Sequence, residues 1–374
     1  MKGTRPRAGD RDFKNRLRKL LKYAWACFLH CGGDRVSGKR KLLQEDAILV
    51  LTFHRVLSDT EAAVTSSLPG MVVRTGTFDA LLRFLHDHFE VVTLTPELPA
   101  FTCGRKKLRV LLTFDDGWSD TYSNAFPLAK REAAPFTVFV CPALVGKIAP
   151  FWPERAVREW RRSGGAGFRF ATVTELIEGM KRMPVHERAS LPLMQGGELP
   201  ADPPEPNLRT MGWPEIEELQ ANGIAIGSHT NEHKLLNHCT IEERRRELEI
   251  SKTNLEERCE IPCLAFAYPN GNWDPEIAEE VRAGAYRYAF TTDAGAWTST
   301  TDCFSIPRIN ISEPKLIGPD GKFSPAMFEY SVLRKAAGTQ RAPMKHGSNL
   351  HRKDFASRFS RLSTWFSQRG LSRQ

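Results

Sequence analysis

The chain has 374 residues, of which 41% are hydrophobic, and this content suffices for a sizeable core in one large domain or two smaller ones. Its net charge of +9 lies in the tails, because residues 1–45 carry 13 Lys/Arg against 4 Asp/Glu and residues 332–374 carry 10 against 1. Residues 46–331 therefore carry 30 basic and 39 acidic side chains, a net charge of −9, which argues against a nucleic-acid-binding body.

The N-terminal segment 1–45 is a basic tail that predicts an amphipathic helix. Residues 1–12 show no periodicity and are expected to be disordered. Over 13–28, apolar residues recur at three- and four-residue steps, lysines and arginines fill much of the remaining face, and Gly32-Gly33 ends the pattern. Such a helix can lie in the interface of an anionic membrane or pack on the protein's own body, and the sequence leaves both open.

The same segment is a poor secretion signal. It is too short and too charged to span a bilayer, and no small-residue cleavage site follows it. The eight cysteines are scattered without the paired spacing of a zinc knuckle, which favours a reducing compartment. We therefore expect a cytoplasmic protein, or one peripheral to the inner face of the membrane.

Strands and helices then alternate. The predicted strands of the first half are 47–53, 91–94, 110–114 and 137–140, with helices beginning at Thr77 and covering 125–133. This order is close to that of a parallel barrel or a doubly wound sheet. Residues 147–210 interrupt it with frequent Pro and Gly, including the proline-rich run 199–206. We expect an excursion over the barrel mouth with a short helix near 173–180, which shapes the substrate groove or serves as a spacer.

The alternation resumes after the excursion. Trp213-Pro214 opens a helix, and Thr240 and Glu243 have the spacing of a capping box at the start of a helix that runs to about 257. The remaining predicted strands are 224–226, 264–268, 288–292 and 306–311, and a helix is predicted over 275–283. Periodicity fades after Ser312, so residues 313–374 are expected to be a basic, flexible tail.

The strand over 110–114 ends in two adjacent carboxylates, Asp115 and Asp116, followed by Gly117. Loops after buried parallel strands are where α/β folds place their chemistry. Neighbouring carboxylates resist joint ionisation unless a cation or a proton intervenes. Because successive side chains of an extended segment point in opposite directions, the two aspartates need not share one role. The alternative is a common Asp-Gly turn at the surface.

A second apolar run, 223–227, leads to His229 and His233. On a helical turn, residues four apart face the same side, so we expect both imidazoles to bind one ion. Two imidazoles and one carboxylate leave coordination positions open for water and substrate, as in a catalytic metal site. The alternative is a pair of surface histidines, which the strand-end aspartates disfavour.

These two motifs, TFDDG at 113–117 and SHTNEH at 228–233, resemble the first two motifs of the polysaccharide deacetylases, carbohydrate esterase family four. LTFHRV at 51–56, FAYPNG at 266–271 and IPRIN at 306–310 add to the resemblance, which covers residues 46–312. It implies a distorted (β/α) barrel of mostly parallel strands, of the class α/β. It also implies a hydrolase that uses a divalent metal ion, zinc before cobalt, nickel or manganese, on an N-acetylated glycan.

The resemblance assigns roles to several residues. It makes Asp116, His229 and His233 the metal ligands and Asp115 the general base. The late histidine that serves many family members as general acid is missing, and His54 is the candidate replacement. The alternative for His54 is a buried histidine bonded to the backbone.

The substrate-binding candidates are Tyr268, Pro269 and Arg308. Tyr268 stands near the place of the family's missing third-motif arginine, and it could supply a backbone N–H to the oxyanion or line the sugar groove. Arg308 could orient the base, bind an acidic group, or form a structural ion pair. Trp118, Trp152 and Trp273 could stack on sugar rings or pack in the core.

The function expected from these residues is metal-dependent removal of N-acetyl groups from an amino-sugar glycan or a lipid-linked saccharide. Two alternatives stay open. One is a carbohydrate-binding protein that keeps the fold without turnover, which the missing histidine and arginine favour. The other is a related hydrolase acting on a non-sugar amide or an ester.

Overall fold

A computed structural model describes residues 8–338, with side chains from residue 16, except for 33–37, 98–100, 103, 149–150, 167, 169, 184–186, 188–189 and 192–206. The proline-rich run 199–206 lies outside the described residues, as does the tail from 339 onward.

Parallel β-strands form the centre of the fold. In chain order the strands are β1 (Ile48–Phe53), β2 (Arg55–Leu57), β3 (Val72–Arg74), β4 (Phe89–Val92), β5 (Leu108–Phe114), β6 (Phe136–Val140), β7 (Ala225–Ser228), β8 (Ala265–Ala267), β9 (Tyr288–Phe290) and β10 (Ile309–Asn310). Eight of them form one sheet in the order β10-β1-β5-β6-β7-β8-β9, with β4 on the first half of β5, while β2 and β3 form a separate pair. Every one of these strand pairs is parallel.

The sheet curls until its two edges are linked by one segment. Ile306 pairs with Phe290 of β9, and Ile309, three residues later, pairs with Leu51 of β1. This is a distorted (β/α) barrel of parallel strands, and the expected fold class is confirmed. Because carboxyl ends of parallel strands meet at one edge, the loops after β1, β5, β7 and β8 lie together.

Helices cover the outer face of the sheet. They are α1 (Ala8–Cys31), α2 (Lys39–Gln44), α3 (Asp59–Val64), α4 (Thr75–His88), α5 (Phe126–Arg131), α6 (Trp152–Arg162), α7 (Val173–Lys181), α8 (Trp213–Ala221), α9 (Ile241–Cys259), α10 (Pro275–Ala283), α11 (Pro325–Phe328) and α12 (Arg334–Gly338). The capping box of Thr240 and Glu243 at the start of α9 is present, as is the proline in the first turn of α8. The helix expected near 173–180 is α7.

Side-chain alternation along the strands divides the core into two layers. Ile48 and Val50 of β1 belong to a cluster that contains no helical residue and fills the inside of the curl. Leu49, Leu51 and Phe53 of the same strand belong to the larger cluster between sheet and helices. All of β1 is buried, which explains its uninterrupted apolar sequence.

Two expectations about the segments outside the barrel need correction. Helix α1 begins at Ala8, inside the stretch 1–12 that was expected to be disordered. Asp10 and Asp12 are favourable near a helix N-terminus, although they add nothing to apolar periodicity. Residues 313–338 are not a flexible tail, because Leu316, Phe328, Val332 and Leu333 are buried in the core between sheet and helices. Short helical turns separated by loops bury these residues, so no long apolar period marks them in the sequence.

The excursion contains one helix that the sequence did not predict, α6. It packs against α7 around a small apolar cluster of its own, formed by Ala156, Val157, Leu176, Ile177 and Met180. Antiparallel bridges join Ile148 to Arg209 and Trp118 to Thr210, so the excursion leaves and returns beside the loop after β5. In the described part of the chain, no helix has the length and apolarity needed to cross a bilayer.

Candidate metal and catalytic site

The three predicted metal ligands converge at the carboxyl edge of the sheet. Asp116 follows β5, while His229 and His233 follow β7. Asp116 Oδ1 lies 3.3 Å from His233 Nε2 and 3.6 Å from His229 Nε2. Two donor atoms about 2.0–2.2 Å from one ion at a tetrahedral angle are ~3.3–3.5 Å apart, so the donors have the spacing that one zinc-sized ion requires.

The hydrogen bonding of His229 fixes which of its nitrogens faces Asp116. Nδ1 lies 2.7 Å from the carbonyl oxygen of Ala267, which only accepts, so Nδ1 donates there. Burial lowers the pKa of His229 to about 4, against the opposing charge of Asp115, so the ring is neutral at pH 7. The lone pair of Nε2 then faces a carboxylate oxygen with no proton between them. Two facing acceptors in a buried place are the arrangement that a cation resolves.

The two histidines do not lie on a helical turn, as was expected from their spacing. The chain leaves β7 in an irregular loop, with Thr230 at φ 62° and His233 at φ 59°. Asp116 also has a positive φ, 74°, and Gly117 follows it at φ 69°. Non-glycine residues in this region cost ~1–3 kcal/mol each, and such residues cluster at functional sites. Two of the three predicted ligands, Asp116 and His233, are therefore held in backbone conformations that local preference disfavours.

Asp115 is held by Arg308 in a buried, two-pronged ion pair. Arg308 Nη1 donates to Oδ1 and Nη2 to Oδ2, both at 2.7 Å, and neither side chain is more than 3% exposed. Arg308 Nε donates to the carbonyl of Thr291, which fixes the guanidinium plane. Burial alone would raise the pKa of Asp115, but the charge and the hydrogen bonds of Arg308 lower it below its usual value. Asp115 is therefore an anion with its two oxygens in defined positions.

Comparison with known proteins agrees with this geometry. Residues 104–289 match the family model described as polysaccharide deacetylase. Residues 104–289 belong to the polysaccharide deacetylase family. YxkH of Bacillus subtilis (strain 168), whose name assigns it to the same family, is 23% identical over 239 residues, which are 63% of this chain. The chain spans about 64% of the length of that relative.

Solved deacetylase structures share the fold of this deacetylase domain. The Streptococcus pyogenes deacetylase PplD in complex with acetate aligns with a TM-score of 0.50 at 20% identity, covering 75% of this chain and 99% of PplD. IcaB from Ammonifex degensii aligns with a TM-score of 0.50 at 21% identity, covering 78% of this chain and 98% of IcaB. At these identities the likeness establishes the fold, a distorted barrel. The chemistry of the site has to be inferred from its residues.

His54 stands close to both aspartates of this candidate site. It follows β1 directly, it is half-buried, and its charge lowers the pKa of both Asp115 and Asp116. Its Nδ1 is buried and has no hydrogen-bond partner among the described residues. The alternative of a histidine bonded to the backbone through Nδ1 is therefore not observed.

None of the three substrate-binding candidates is placed where it could contact a substrate. The Tyr268 ring is fully buried, its hydroxyl donates to the carbonyl of Phe304, and its N–H donates to the carbonyl of Phe290. It can neither line a groove nor supply an oxyanion donor. Pro269 is buried and has no N–H. Arg308 is fully buried with its guanidinium on Asp115, so it cannot contact a ligand; this position fits its other two expected roles, which are to orient Asp115 or to form a structural ion pair.

Trp118 bonds directly to Asp116, one of the predicted metal ligands, a role that the sequence did not suggest. Its Nε1 donates to Asp116 Oδ2 at 3.1 Å, which leaves Oδ1 for the histidines. The ring is fully buried and so cannot stack on a sugar. The guanidinium of Arg55 lies 4.1 Å from the ring centroid. The TFDDG motif ends one residue too early to reveal this bond, and only the backbone turn at Asp116 brings the indole back to the carboxylate.

A buried polar network ties the excursion to this ligand shell. Arg55 donates to Asp120 at 2.6 Å and to Ser67 at 2.8 Å, and Ser67 donates to Glu154 of α6 at 3.2 Å. Burial raises the pKa of Glu154 to about 7, although the Arg55 charge opposes it. Phe151, just before α6, meets the His233 ring edge-on at 5.1 Å. The start of the excursion therefore borders the candidate site, and its role in shaping a substrate groove stays a prediction.

Proposed function

We propose that the chain is a metal-dependent hydrolase that removes N-acetyl groups from an amino-sugar glycan or lipid-linked saccharide. The single observation that carries this is the convergence of Asp116, His229 and His233 on one point, beside a second carboxylate that Arg308 keeps ionised. Family membership and the barrel support the same reaction class.

The ligand set favours zinc, with cobalt, nickel or manganese as substitutes, because it combines two neutral imidazoles with one carboxylate. When bound, such an ion polarises an acetyl carbonyl and acidifies water. Asp116 offers Oδ1 while Trp118 occupies Oδ2, and Ala267 holds the His229 ring in the tautomer that leaves Nε2 free to bind. These partners position the ligands before any ion arrives.

The remaining steps belong to the side chains. Asp115 accepts a proton from the attacking water as that water forms a C–O bond to the acetyl carbon. The C–N bond then breaks, the acetyl group leaves as acetate, and the departing nitrogen needs a proton. We assign that proton to His54, because it stands at the same strand edge and its charge acts on both aspartates. His54 would donate this proton and Asp115 would accept the other, so the two side chains divide acid and base catalysis between them.

The partners we propose are an N-acetylated glycan at the site and an anionic membrane surface at α1. The membrane contact is supported by the exposed apolar residues of α1, among them Trp25 at 51% and Phe28 at 66% exposure, together with its lysines and arginines.

The test is acetate release from a panel of N-acetylated oligosaccharides, simple esters and non-sugar amides. We expect release from the oligosaccharides, and a loss of ~10²–10⁴-fold in Asp115→Asn. Asp87→Asn, an exposed aspartate on α4, serves as the matched control and should keep full activity. Glycan binding without acetate release would indicate a binding protein, and preference for the esters would indicate the related hydrolase; either result contradicts the proposal.

A further inference from the structure

The exposed face of α1 is apolar, which is unusual for a helix that already packs on the protein. Ala26 and Leu29 are buried, and Ala26 lies in a cluster with Ala326 and Met327 of α11. Five large apolar residues of α1 remain 44–66% exposed: Leu17, Leu20, Leu21, Trp25 and Phe28. At about 100° per residue they fall within one arc of ~140°, opposite the packed side. A contiguous apolar patch of this kind marks an interaction surface.

A cationic cleft lies next to this face. It has a volume of about 490 Å³ and is lined by Lys22, Lys315, Tyr330, Ser331, Arg334 and Lys335. Four of these six residues are cations and none is a carboxylate. Lys22 belongs to α1 itself, whereas the others come from the segment after β10. The cleft and the apolar face therefore share one helix.

The cleft concentrates positive charge in a partly buried place. Burial lowers the pKa of Lys315, and the charges of Lys335 and Lys22 lower it further. The hydroxyl oxygen of Ser331 is buried and has no hydrogen-bond partner among the described residues. Like charges held together are stabilised by an anion, and a phosphate accepts from ammonium, guanidinium and hydroxyl donors alike.

We propose that this cleft binds the phosphate of an anionic phospholipid while the apolar face of α1 inserts into the same bilayer. A free phosphate would explain the cations but not the five exposed apolar side chains beside them. A second copy of the chain would cover the apolar face but would bring its own cations to it. Of these three partners, only an anionic lipid bilayer offers negatively charged headgroups next to an apolar interior.

One cation of the cleft, Lys315, reaches the end of the barrel where the candidate catalytic site lies. The Lys315 ammonium donates to the carbonyl of Asn310, at the carboxyl end of β10. Asn310 pairs with Thr52 of β1, two residues before His54. The rest of the cleft lies toward the opposite end, because Lys41 of α2, which precedes β1, donates to the carbonyl of Ala337 beside it. The proposal deepens the membrane contact inferred above and does not depend on the deacetylation chemistry.

The experiment is co-sedimentation of the full chain with vesicles of phosphatidylcholine alone or with 30% phosphatidylglycerol. We expect binding to the anionic vesicles only, weakened as salt rises from about 0.1 to 0.5 M. Lys22→Glu and Arg334→Glu should each weaken the partition ~5-fold or more, because one cation near the surface contributes about that factor. Leu21→Glu should abolish insertion. Matched controls on other faces are Lys181→Glu and Ile241→Glu, both exposed.

Several results would overturn the proposal. One is equal binding of wild type, Leu21→Glu and Lys22→Glu to the anionic vesicles. Another is a dimer that Leu21→Glu dissociates, in a chain that ignores vesicles, because α1 would then be a contact between copies. A third is calorimetric binding of inorganic phosphate, lost in Lys22→Glu, without vesicle binding. Acetate release from a water-soluble oligosaccharide should be unchanged in Leu21→Glu, so failure of the docking and failure of the deacetylase assignment are separate results.

Discussion

Arg308 offers the sharpest test of how the site is organised, through the variant Arg308→Met. The wild-type guanidinium makes two 2.7 Å bonds to Asp115 in a place closed to solvent. Removing one partner of such a pair leaves a buried charge unpaired, which costs ~3–5 kcal/mol of unfolding free energy. Arg308→Met should lower the unfolding free energy most when Asp115 is present, and less in the Asp115→Asn background, because the amide of asparagine is neutral. We expect a coupling energy of ~1–3 kcal/mol in the double-mutant cycle.

The same substitution should move the pH profile of activity. In the native site burial opposes ionisation of Asp115, and Arg308 lowers its pKa in spite of that burial. The anion is therefore stabilised above the unfolded pKa of an aspartate, and this stabilisation is lost only as the pH falls through the lower folded pKa. Without Arg308 the burial remains, so the pKa of Asp115 rises. The acid limb of kcat/KM should shift to higher pH, and Arg308→Lys should restore part of that shift.

The measurements are urea unfolding of the four proteins of the cycle and acetate release between pH 5 and pH 9. Arg209→Met is the matched control, because Arg209 makes the same two-pronged contact with Glu215 at an exposed position. Its loss should cost less than ~1 kcal/mol. Equal destabilisation by Arg308→Met in both backgrounds, with an unmoved acid limb, would refute the reasoning.

Two further variants test the surroundings of the ligands. Trp118→Phe removes the bond to Asp116 and should weaken metal affinity ~10–100-fold in equilibrium titrations, whereas Trp273→Phe, which loses a similar bond to Asp293, should not. Because Glu154 has a folded pKa near 7, the wild type should lose stability as the pH rises from about 4.5 to 7, whereas Glu154→Gln should not. The unfolding free energy of the variant minus that of the wild type should therefore be ~3 kcal/mol larger at pH 8 than at pH 4. Unchanged affinity in the first, or parallel pH curves in the second, would contradict these assignments.

The convergence of the three candidate metal ligands could be predicted from the sequence because each follows an apolar strand. Carboxyl ends of parallel strands meet at one edge, so Asp116, His229 and His233 had to come close once the strands were recognised. Their local backbone could not be predicted in the same way. The expected helical turn is an irregular loop, because bringing both imidazoles to Asp116 requires positive φ at Thr230 and His233.

Tyr268 shows a signal that was present and not used. Ala265 and Ala267 of β8 face the inside of the curl, while Phe266 and Tyr268 face the helices. Side chains alternate along a strand, and the small residues occupy the crowded interior next to Phe139. This parity places Tyr268 away from the site although it stands at the end of a motif strand.

The partner of Asp115 could not be read from spacing. Arg308 lies 193 residues further on, and only closure of the sheet through Ile306 and Ile309 brings the two together. The two expectations for α1, packing and exposure, describe opposite faces of the same helix. Helix α1 carries more apolar residues than a single packed stripe requires, and this excess was visible in the sequence.

The most direct test of the whole account is the number of zinc ions bound per purified chain after dialysis against excess ion. Unfolding measurements on each variant would check that it is folded. We predict one tightly bound ion per chain in the wild type, and none in Asp116→Ala or His229→Ala that remain folded. One ion per chain in the folded His229→Ala variant, bound as tightly as in the wild type, would contradict the claim that these side chains form the metal centre.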